Sequence, residues 1–333
     1  MNPAACTNDA EEEETSSFMA AQELMTAHIV SMTLKAAMEL GLIDTLTGAP
    51  AGRALTADEL AAKLPAGATN KAEVAAAVDR MLRFLASHGV VRCSTEEGAG
   101  PDSPLLRRHH LAEALLEGRV AFEIAHGKPA FEYMGKNPQL SALYNQAMSQ
   151  LSTLVCGKML ESFTGFDGIG ILVDVGGGIG TNLGMITSKY KNIKGINFDL
   201  PFVVSQAKPI PGVEHIGGDM LDYVPSGDAI FMKSVLHLLS DEDCVKLLKN
   251  CYRAVPDRGK VIAMEVVLPV TPEATQAGRF PFLFDIICLI NGLKGGKERT
   301  EQEYARLATD AGFNGAIRST VTFGGFSVLE FTK

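Results

Sequence analysis

The chain has 333 residues, of which 46% are apolar and 21% charged, and its formal net charge is −9 at pH 7. This length exceeds what a single hydrophobic core usually holds, so we expect two domains or one large domain with an appendage. An acidic chain without a lysine- or arginine-rich block is poorly suited to nucleic acid or to an anionic membrane. We expect a neutral or cationic small molecule as the ligand.

The N-terminal segment, residues 1–17, is acidic where a signal peptide would be basic and then apolar, which predicts a disordered tail. The most apolar later stretch, FPFLFDIICLI, is too short to cross a bilayer. The six cysteines form no CxxC pair, which favours buried free thiols in a reducing compartment. These features together predict a cytoplasmic protein.

The next part of the chain has helical periodicity. Apolar residues recur at helical spacing over residues 18–46 around Gly41, which indicates two helices broken at that glycine. Thr56 and Glu59 form a capping box for a short helix, and a longer helix ends at Gly89, before the short strand VVRC. Three helices and a strand are typical of a winged-helix module. The acidic charge favours dimerisation over DNA binding, so we expect a homodimer.

The pattern changes again after Gly170, following helical segments that are broken at HGKP and GKNP. The apolar runs ILVDV, IKGINFD, AIFMKSV and KVIAMEVV, with helical patterns between some of them, predict a doubly wound, mostly parallel α/β sheet. The C-terminal stretch STVTFGGFSVLEFTK predicts two strands at an antiparallel edge. The predicted division is a tail (1–17), a winged-helix-like domain (18–106), a helical linker with ligand-lining helices (107–165) and a ligand-binding α/β domain (166–333).

A glycine cluster follows the first of these strands in LVDVGGGIG. From Gly176 its spacing is G-x-G-x-G, which differs from the G-x-G-x-x-G of dinucleotide sites. Asp199 ends the next strand, where a carboxylate suits two ribose hydroxyls. Asp219 and Met220 follow the third strand and suit an adenine amine and its ring. The set predicts an adenosyl-nucleoside site, with a nicotinamide cofactor as the main alternative.

Five motifs, LVDVGGGIG, GINFDLP, GVEHIGGDM, FMKSVLHLLSDEDC and GGKERTEQEY, resemble those of plant O-methyltransferases of the caffeic acid type, and the likeness runs from Ala21 to Lys333. It implies a winged-helix dimerisation domain ahead of a Rossmann-like methyltransferase domain. It also implies S-adenosyl-L-methionine as methyl donor, S-adenosyl-L-homocysteine as product, no metal, and a small phenol as acceptor. By this resemblance the donor-binding residues are Gly176, Asp199, Leu200, Asp219, Met220 and Lys233.

His237 lies just past the strand AIFMKSV, at the edge where open parallel sheets bind ligands. A single histidine at a strand end is more often structural, yet a phenol with a pKa near 10 needs a base at neutral pH. The resemblance implies a catalytic set of His237, Glu265 and Glu298, in which either glutamate could orient the imidazole. The alternative for Glu298 is a surface ion pair with Arg299 or Lys297.

The acceptor side departs from the family. Ser234 and Leu238 stand where relatives carry tryptophan and aspartate, and the segment between STEEGAGPDSP and LLRRHHLAEALLEG is several tens of residues shorter than in relatives. One face of the acceptor-lining helix has a spacing that core packing would also produce. The predicted acceptor-binding residues are Leu140, Tyr144, Met148, Leu151 and Asn291.

The sequence therefore predicts methylation of a hydroxyl on a small plant phenol, a phenylpropanoid or a flavonoid, with a histidine base. N-methylation of an aromatic or indolic amine is the alternative within the enzyme class, because an amine depends less on a strong base. A non-catalytic partner that binds the donor and dimerises with an active relative is the alternative outside it.

Overall fold

The computed structural model describes residues 3–49, 53–64, 71–91, 120–291, 294–314 and 317–333. The chain forms two compact units. The helical unit comprises Met1–Ala130 and Leu268–Glu298, and the sheet unit comprises Phe131–Val267 and Arg299–Lys333. The segment Leu268–Glu298 thus groups with the N-terminal helices, although the sequence suggested that it belongs with the α/β part. The predicted domain boundaries stay predictions.

Six helices lie in the described part of the helical unit. They are α1 (Pro3–Glu39), α2 (Leu42–Thr47), α3 (Ala57–Ala61), α4 (Lys71–Ser87), α5 (Ala121–His126) and α11 (Gln276–Asn291). Gly41, with φ of 67°, separates α1 from α2, and the capping box of Thr56 and Glu59 begins α3, both as predicted. Val90 and Val91, the first half of the predicted strand VVRC, lie in a bend after α4. Arg92, Cys93 and the whole shortened segment lie outside the described residues.

The predicted acidic tail overlaps the first helix. Helix α1 begins at Pro3, inside the segment 1–17 for which the sequence predicts disorder. Glutamate is a good helix former, and α1 packs against α11 from far along the sequence. The Ser16 hydroxyl donates to the side-chain oxygen of Gln276 at 3.1 Å, and the rings of Phe18 and Phe280 lie 6.0 Å apart. These contacts connect the part of α1 around Ser16 and Phe18 with α11.

The core of the helical unit lies between α4 and α11. Helix α4 presents Val78, Met81 and Leu85 at helical spacing, and all three are fully buried. Phe282 and Ile286 of α11 belong to the same cluster. Because α11 supplies part of this core, α11 and the N-terminal helices form one compact unit.

The described residues of the sheet unit form seven strands, six helices and a short 3₁₀ turn. The strands are β1 (Ile171–Val175), β2 (Lys194–Asp199), β3 (Val213–Gly217), β4 (Ala229–Lys233), β5 (Lys260–Val266), β6 (Ile317–Val321) and β7 (Phe326–Thr332). The helices are α6 (Ala130–Gly135), α7 (Pro138–Ser162), α8 (Thr181–Lys189), α9 (Pro201–Val204), α10 (Asp241–Ala254) and α12 (Glu301–Ala311). The 3₁₀ turn is Leu236–Leu238.

The strand order is β3-β2-β1-β4-β5-β7-β6. The first five strands run parallel, and β7 pairs antiparallel with both β5 and β6. The predicted doubly wound sheet with an antiparallel edge is confirmed. The strand order reverses between β1 and β4, and the carboxyl ends of the strands on either side of such a point form the usual ligand crevice.

Four cysteines, Cys156, Cys244, Cys251 and Cys288, are buried free thiols, as predicted. Within the described part of the chain, none of the helices has the length and apolarity needed to cross a membrane.

Candidate active site

The glycine loop joins β1 to α8 and lies against the end of β2. The N–H groups of Gly176 and Gly177 point at the carbonyl oxygen of Phe198, with N···O distances of 2.8 and 3.4 Å. Gly176, Gly178 and Gly180 have φ of 68°, 61° and 87°, a region that other residues rarely adopt. These hydrogen bonds and backbone angles hold the loop above the carboxyl end of β1.

The same loop packs too closely on its neighbours to accept side chains. A Cβ added at Gly177 would lie 2.2 Å from Oδ1 of Asn197 and 2.8 Å from Oδ2 of Asp174. One added at Gly176 would lie 2.7 Å from Cγ2 of Val235, which precedes the His237 turn. The glycine loop therefore touches both the second strand and the segment that carries His237.

Asp199, the predicted ribose ligand, is fixed by backbone donors. Its Oδ2 accepts the N–H of Gly178 at 2.7 Å, and its Oδ1 accepts the N–H of Leu200 at 2.6 Å. Burial raises the pKa of this half-buried carboxyl, although the N–H groups of Gly178 and Leu200 act in the opposite direction. Leu200 thus contributes to the site through its backbone.

Asn197 and His215 support the loop, and the sequence analysis missed both. The side-chain amide of Asn197 donates to the carbonyl oxygen of Gly178 at 2.9 Å and lies 3.1 Å from Nδ1 of His215. Nε2 of His215 lies 3.0 Å from the carbonyl oxygen of Lys208, an acceptor, so Nε2 carries the proton and Nδ1 accepts. In the sequence, a polar asparagine inside the apolar run INFD and a histidine in VEH could have pointed to this pair.

Asp219 and Met220 follow β3 and lie near the same edge. Oδ1 of the exposed Asp219 accepts the N–H of Leu221 at 2.8 Å, which orders the turn. The carbonyl oxygen of half-buried Met220 accepts the side-chain amide of Asn250, in α10, at 2.8 Å. The turn therefore has a fixed backbone, and both predicted side chains retain solvent access.

Three buried charged groups occupy the adjacent strands β1, β4 and β5: Asp174, Lys233 and Glu265. Burial and the nearby Asp199 raise the pKa of Asp174 to about 8, although Lys233 and Asn182 act in the opposite direction. Neither carboxylate oxygen of Asp174 accepts a hydrogen bond of ordinary geometry from the described residues. Burial lowers the pKa of Lys233, while Glu265 and Asp174 raise it.

His237 lies half-buried in the 3₁₀ turn that follows β4. The backbone enters this turn through Ser234, the one non-glycine residue with positive φ (56°) among the described residues. Oε1 of Glu265 accepts the N–H groups of Val235 and Leu236, at 2.9 and 2.8 Å. Glu265 therefore holds the backbone of the turn, a role that the sequence analysis did not foresee.

Arg299 holds the same turn from its carbonyl side. Its guanidinium donates to the carbonyl oxygens of Leu236 and Leu239, each at 2.8 Å, and to Oδ1 of Asp241 at 2.8 Å. The side chain is fully buried, so Arg299 is not the surface partner of Glu298 that one hypothesis assumed. Glu265 and Arg299 thus fix the turn that carries His237 through opposite ends of its peptide groups.

Glu298 precedes Arg299 in the chain and belongs to the helical unit. It is 1% exposed, which rules out the surface-loop alternative. Its N–H donates to Oδ1 of Asp285 at 3.0 Å, and the thiol of Cys288 lies 3.8 Å from its Oε1. The backbone of Glu298 is therefore anchored to α11.

The predicted acceptor-lining residues lie on one face of α7. Leu140, Met148 and Leu151 are half-buried and Tyr144 is 37% exposed. The fully buried positions of α7, such as Val155 and Met159, lie elsewhere along the helix. The four predicted residues are therefore not core residues, which was the alternative explanation of their spacing. The side chain of Asn291 lies outside the described part of the chain.

The residues at the carboxyl edge fit an adenosyl sulfonium donor. Asp199 offers a carboxylate at a glycine turn that admits close backbone approach. Asp174 is a buried carboxyl group with a pKa raised to about 8 by burial and by Asp199, and its two oxygens lack ordinary donors among the described residues, so they can accept hydrogen bonds from a ligand. The role of each predicted site residue stays a prediction.

Two family models match the chain. One, described as an O-methyltransferase domain, matches residues 108–314, and the other, an O-methyltransferase dimerisation domain, matches residues 22–118.

Grass proteins match nearly the whole chain. A rice (Oryza sativa subsp. japonica) protein named "Probable inactive methyltransferase" is 50% identical over 97% of this chain and 95% of its own length. Naringenin 7-O-methyltransferase of rice is 48% identical over 95% and 94%. The barley (Hordeum vulgare subsp. vulgare) 3-aminomethylindole N-methyltransferase is 45% identical over 100% and 97%. That last alignment spans 368 positions against 333 residues here, so at least 35 positions have no counterpart in this chain.

Solved structures agree with the sheet topology. LaPhzM has a TM-score of 0.62 and 26% identity over 94% of this chain and 98% of its own. The S-adenosyl-homocysteine-bound CalO1, a methyltransferase of calicheamicin biosynthesis, has a TM-score of 0.56 and 28% identity over 100% and 99%. The chain thus belongs to the plant O-methyltransferase family and is an S-adenosyl-methionine-dependent methyltransferase with a dimerisation domain.

Proposed function

We propose that this chain methylates a hydroxyl group of a small plant phenol, a phenylpropanoid or a flavonoid, with His237 as general base. The observation that carries the proposal is the fixed turn around His237. Glu265 accepts two of its N–H groups, Arg299 donates to two of its carbonyl oxygens, and Val235 packs on the glycine loop. A histidine held rigidly beside a donor loop is suited to proton transfer.

We propose that the contacts with the methyl donor come from the glycine loop and from the carboxyl ends of β2, β3 and β4. Asp199 would accept the ribose hydroxyls, Asp219 and Met220 would contact the adenine, and Gly176 would allow close backbone approach. Lys233 would lie beneath the amino-acid portion, between two buried carboxylates. When bound, S-adenosyl-methionine supplies an electrophilic methyl group, so the chain itself has to provide orientation and a base.

His237 supplies the base in this proposal. A phenol with a pKa near 10 is mostly protonated at neutral pH, and a neutral imidazole can accept its proton as the oxygen attacks. Such help is worth about 10²–10⁴-fold in rate. Glu265 acts as a positioning residue through the backbone of the turn, and the resemblance adds Glu298 as the carboxylate that orients the imidazole.

An amine acceptor is the second candidate. The barley relative, named for N-methylation of an aminomethylindole, supports it. An amine with a free lone pair needs less help from a base than a phenol does. The naringenin relative supports a phenol instead, as does His237 itself.

A non-catalytic role is the third candidate, supported by the rice relative named as inactive. Ser234 and Leu238, on either side of His237, are two of the positions where this chain departs from the family pattern. We also propose a homodimer, supported by the dimerisation-domain match and by the exposed Met38. Light scattering at micromolar concentration should give twice the chain mass.

Methyl transfer from labelled S-adenosyl-methionine to matched phenols and indolic amines tests the proposal, with wild type and His237→Ala side by side. We expect a methylated phenol whose formation falls by about 10²–10⁴-fold in His237→Ala. Transfer to an amine that survives the substitution would assign N-methylation. Bound S-adenosyl-homocysteine without any transfer would assign the non-catalytic role.

A further inference from the structure

A buried ion pair joins α4 to α11 inside the helical unit. Nε of Arg80 donates to Oδ2 of Asp285 at 3.1 Å, and Nη2 donates to Oδ1 at 2.9 Å, so the guanidinium grips both carboxylate oxygens. The two side chains are only 10% and 5% exposed. Removing one member of a buried ion pair leaves an uncompensated charge in the interior, which is strongly destabilising.

The same pair anchors the segment that ends in Glu298. Oδ1 of Asp285 accepts the N–H of Glu298 at 3.0 Å while it also receives Arg80. Nη2 of Arg80 additionally lies 3.1 Å from the carbonyl oxygen of Asp285 and 3.4 Å from that of Gly296. Two backbone positions within three residues of chain are therefore bonded to one ion pair.

Cys288, one turn after Asp285 on α11, lies beside the Glu298 carboxyl, with Sγ 3.8 Å from Oε1. Helix α11 thus approaches both the backbone and the side chain of Glu298. The position of the Glu298 carboxyl depends on how α11 and the segment before Glu298 are held. Arg80, from α4, bonds to both of them, through Asp285 and Gly296.

We propose that Arg80 is a positioning residue for Glu298, so that a helix of the dimerisation domain sets the geometry of the catalytic carboxylate. The inference rests on the proposed function, which gives Glu298 its catalytic role. Without Arg80, the Asp285 carboxylate loses its charge partner, and its bond to the Glu298 N–H weakens as the side chain turns towards water. The Glu298 carboxyl then samples positions that do not orient a base.

The competing explanation is that the pair only stabilises the packing of α4 on α11. A purely structural role predicts a lower melting temperature with unchanged kcat in the protein that remains folded. A positioning role predicts a fall in kcat at unchanged affinity for S-adenosyl-homocysteine, because the donor residues belong to the sheet unit.

The experiment compares Arg80→Met and Arg80→Lys with Arg83→Gln in the full-length protein. Arg83 is a matched control, since it lies one turn along α4 and pairs with Asp79 at 3.0 Å. For folded Arg80→Met we expect kcat to fall about 10–100-fold, with the KM for the donor and the Kd for S-adenosyl-homocysteine within about twofold of wild type. For Arg83→Gln we expect all three within about twofold.

Hydrogen–deuterium exchange of the peptide spanning residues 296–299 gives a readout independent of methyl transfer. We expect exchange there to rise about 10-fold or more in Arg80→Met and to stay unchanged in Arg83→Gln. Arg80→Lys keeps the charge but cannot form the bidentate hydrogen bond to Asp285, so its exchange should lie between those of the other two variants. If Arg80→Met does not fold, Arg80→Lys decides the question by the same two readouts.

A kcat near that of wild type in the folded Arg80 variants, with unchanged exchange, would overturn the inference. A parallel loss of affinity for S-adenosyl-homocysteine would also overturn it, because it would indicate general damage. If wild type transfers no methyl group to any acceptor, the proposed function fails, and exchange at residues 296–299 still decides whether Arg80 holds Glu298.

Discussion

The donor side and the acceptor side of the sheet unit are fixed by different kinds of interaction. The donor side consists of glycines with positive φ and of backbone N–H groups bonded to Asp199. The acceptor side is a helix face on which Leu140 is half-buried and Tyr144 is 37% exposed. Backbone geometry leaves little freedom to change a ligand, whereas exposed side chains can change without disturbing the fold. If these residues have the roles predicted from the sequence, the donor site is the constrained half of the sheet unit and the acceptor site is the variable half.

The largest expected effect is on the pH dependence of stability, and it comes from Asp174, a buried ionisable residue of β1. Its folded pKa of about 8 exceeds the unfolded value, so its contribution to stability is fully present below about pH 4 and is lost as pH rises through 8. The free energy of unfolding should fall by up to about 1.4 kcal/mol for each pH unit in this window. Asp174→Asn should remove that slope.

Urea unfolding of wild type and Asp174→Asn at pH 5, 6.5 and 8 measures this effect. The stability of the variant relative to wild type should grow steadily with pH. A constant difference across the three conditions would show that Asp174 does not hold an extra proton in the folded state.

Asp199→Ala should cause the next largest change. The substitution removes the carboxylate that accepts the N–H groups of Gly178 and Leu200. We expect the affinity for S-adenosyl-homocysteine to fall about 10–100-fold. Asp228→Ala is the matched control, because Asp228 also accepts two N–H groups, those of Gly170 and Ile171, at the opposite end of β1. Calorimetric titration should show near-normal affinity for Asp228→Ala, and equal losses in both variants would contradict the assignment.

Substitutions of glycine sharpen the same comparison. Gly177→Ala places a Cβ 2.2 Å from Asn197, so we expect a loss of about 1–3 kcal/mol in stability together with weaker donor binding. Gly184→Ala, within α8, meets nothing closer than 3.5 Å and should stabilise the protein by about 0.5–1 kcal/mol. Thermal unfolding of the two variants checks the contrast. Similar melting temperatures would mean that the loop can relax around a side chain.

The sequence predicted most of the sheet and the donor loop because both have local signals. Period-two and apolar runs mark the strands, and a glycine cluster after a strand marks the loop. Long-range contacts leave no such signal. The hydrogen bond from Ser16 of α1 to Gln276 spans 260 residues, and the Arg80 pair spans 205 residues.

The candidate site was predictable in its residue types and less so in their roles. Glu265 and His237 were identified from a motif, but only the fold reveals that Oε1 of Glu265 bonds to Val235 and Leu236. Arg299 resembled a surface residue because charged residues are seldom fully buried. Its three partners lie about 60 residues away in the chain, which no local pattern encodes.

The smallest expected effect is on the acceptor face. Tyr144→Ala should change the KM for the acceptor by about threefold to tenfold and leave donor affinity unchanged, because it removes an aromatic wall on that face. Leu143→Ala is the control, since Leu143 is 63% exposed and lies off that face. Steady-state kinetics with the best acceptor measures both variants. Equal KM values for wild type and Tyr144→Ala would remove this residue from the acceptor site.

The most direct test of the division between the two sides is calorimetric titration of S-adenosyl-homocysteine into two proteins. One is wild type, and the other carries alanine at all four acceptor-face positions, Leu140, Tyr144, Met148 and Leu151. The account predicts that both bind the ligand, with dissociation constants within about twofold of each other. Failure of wild type to bind, or a large loss of affinity in the fourfold variant, would contradict it.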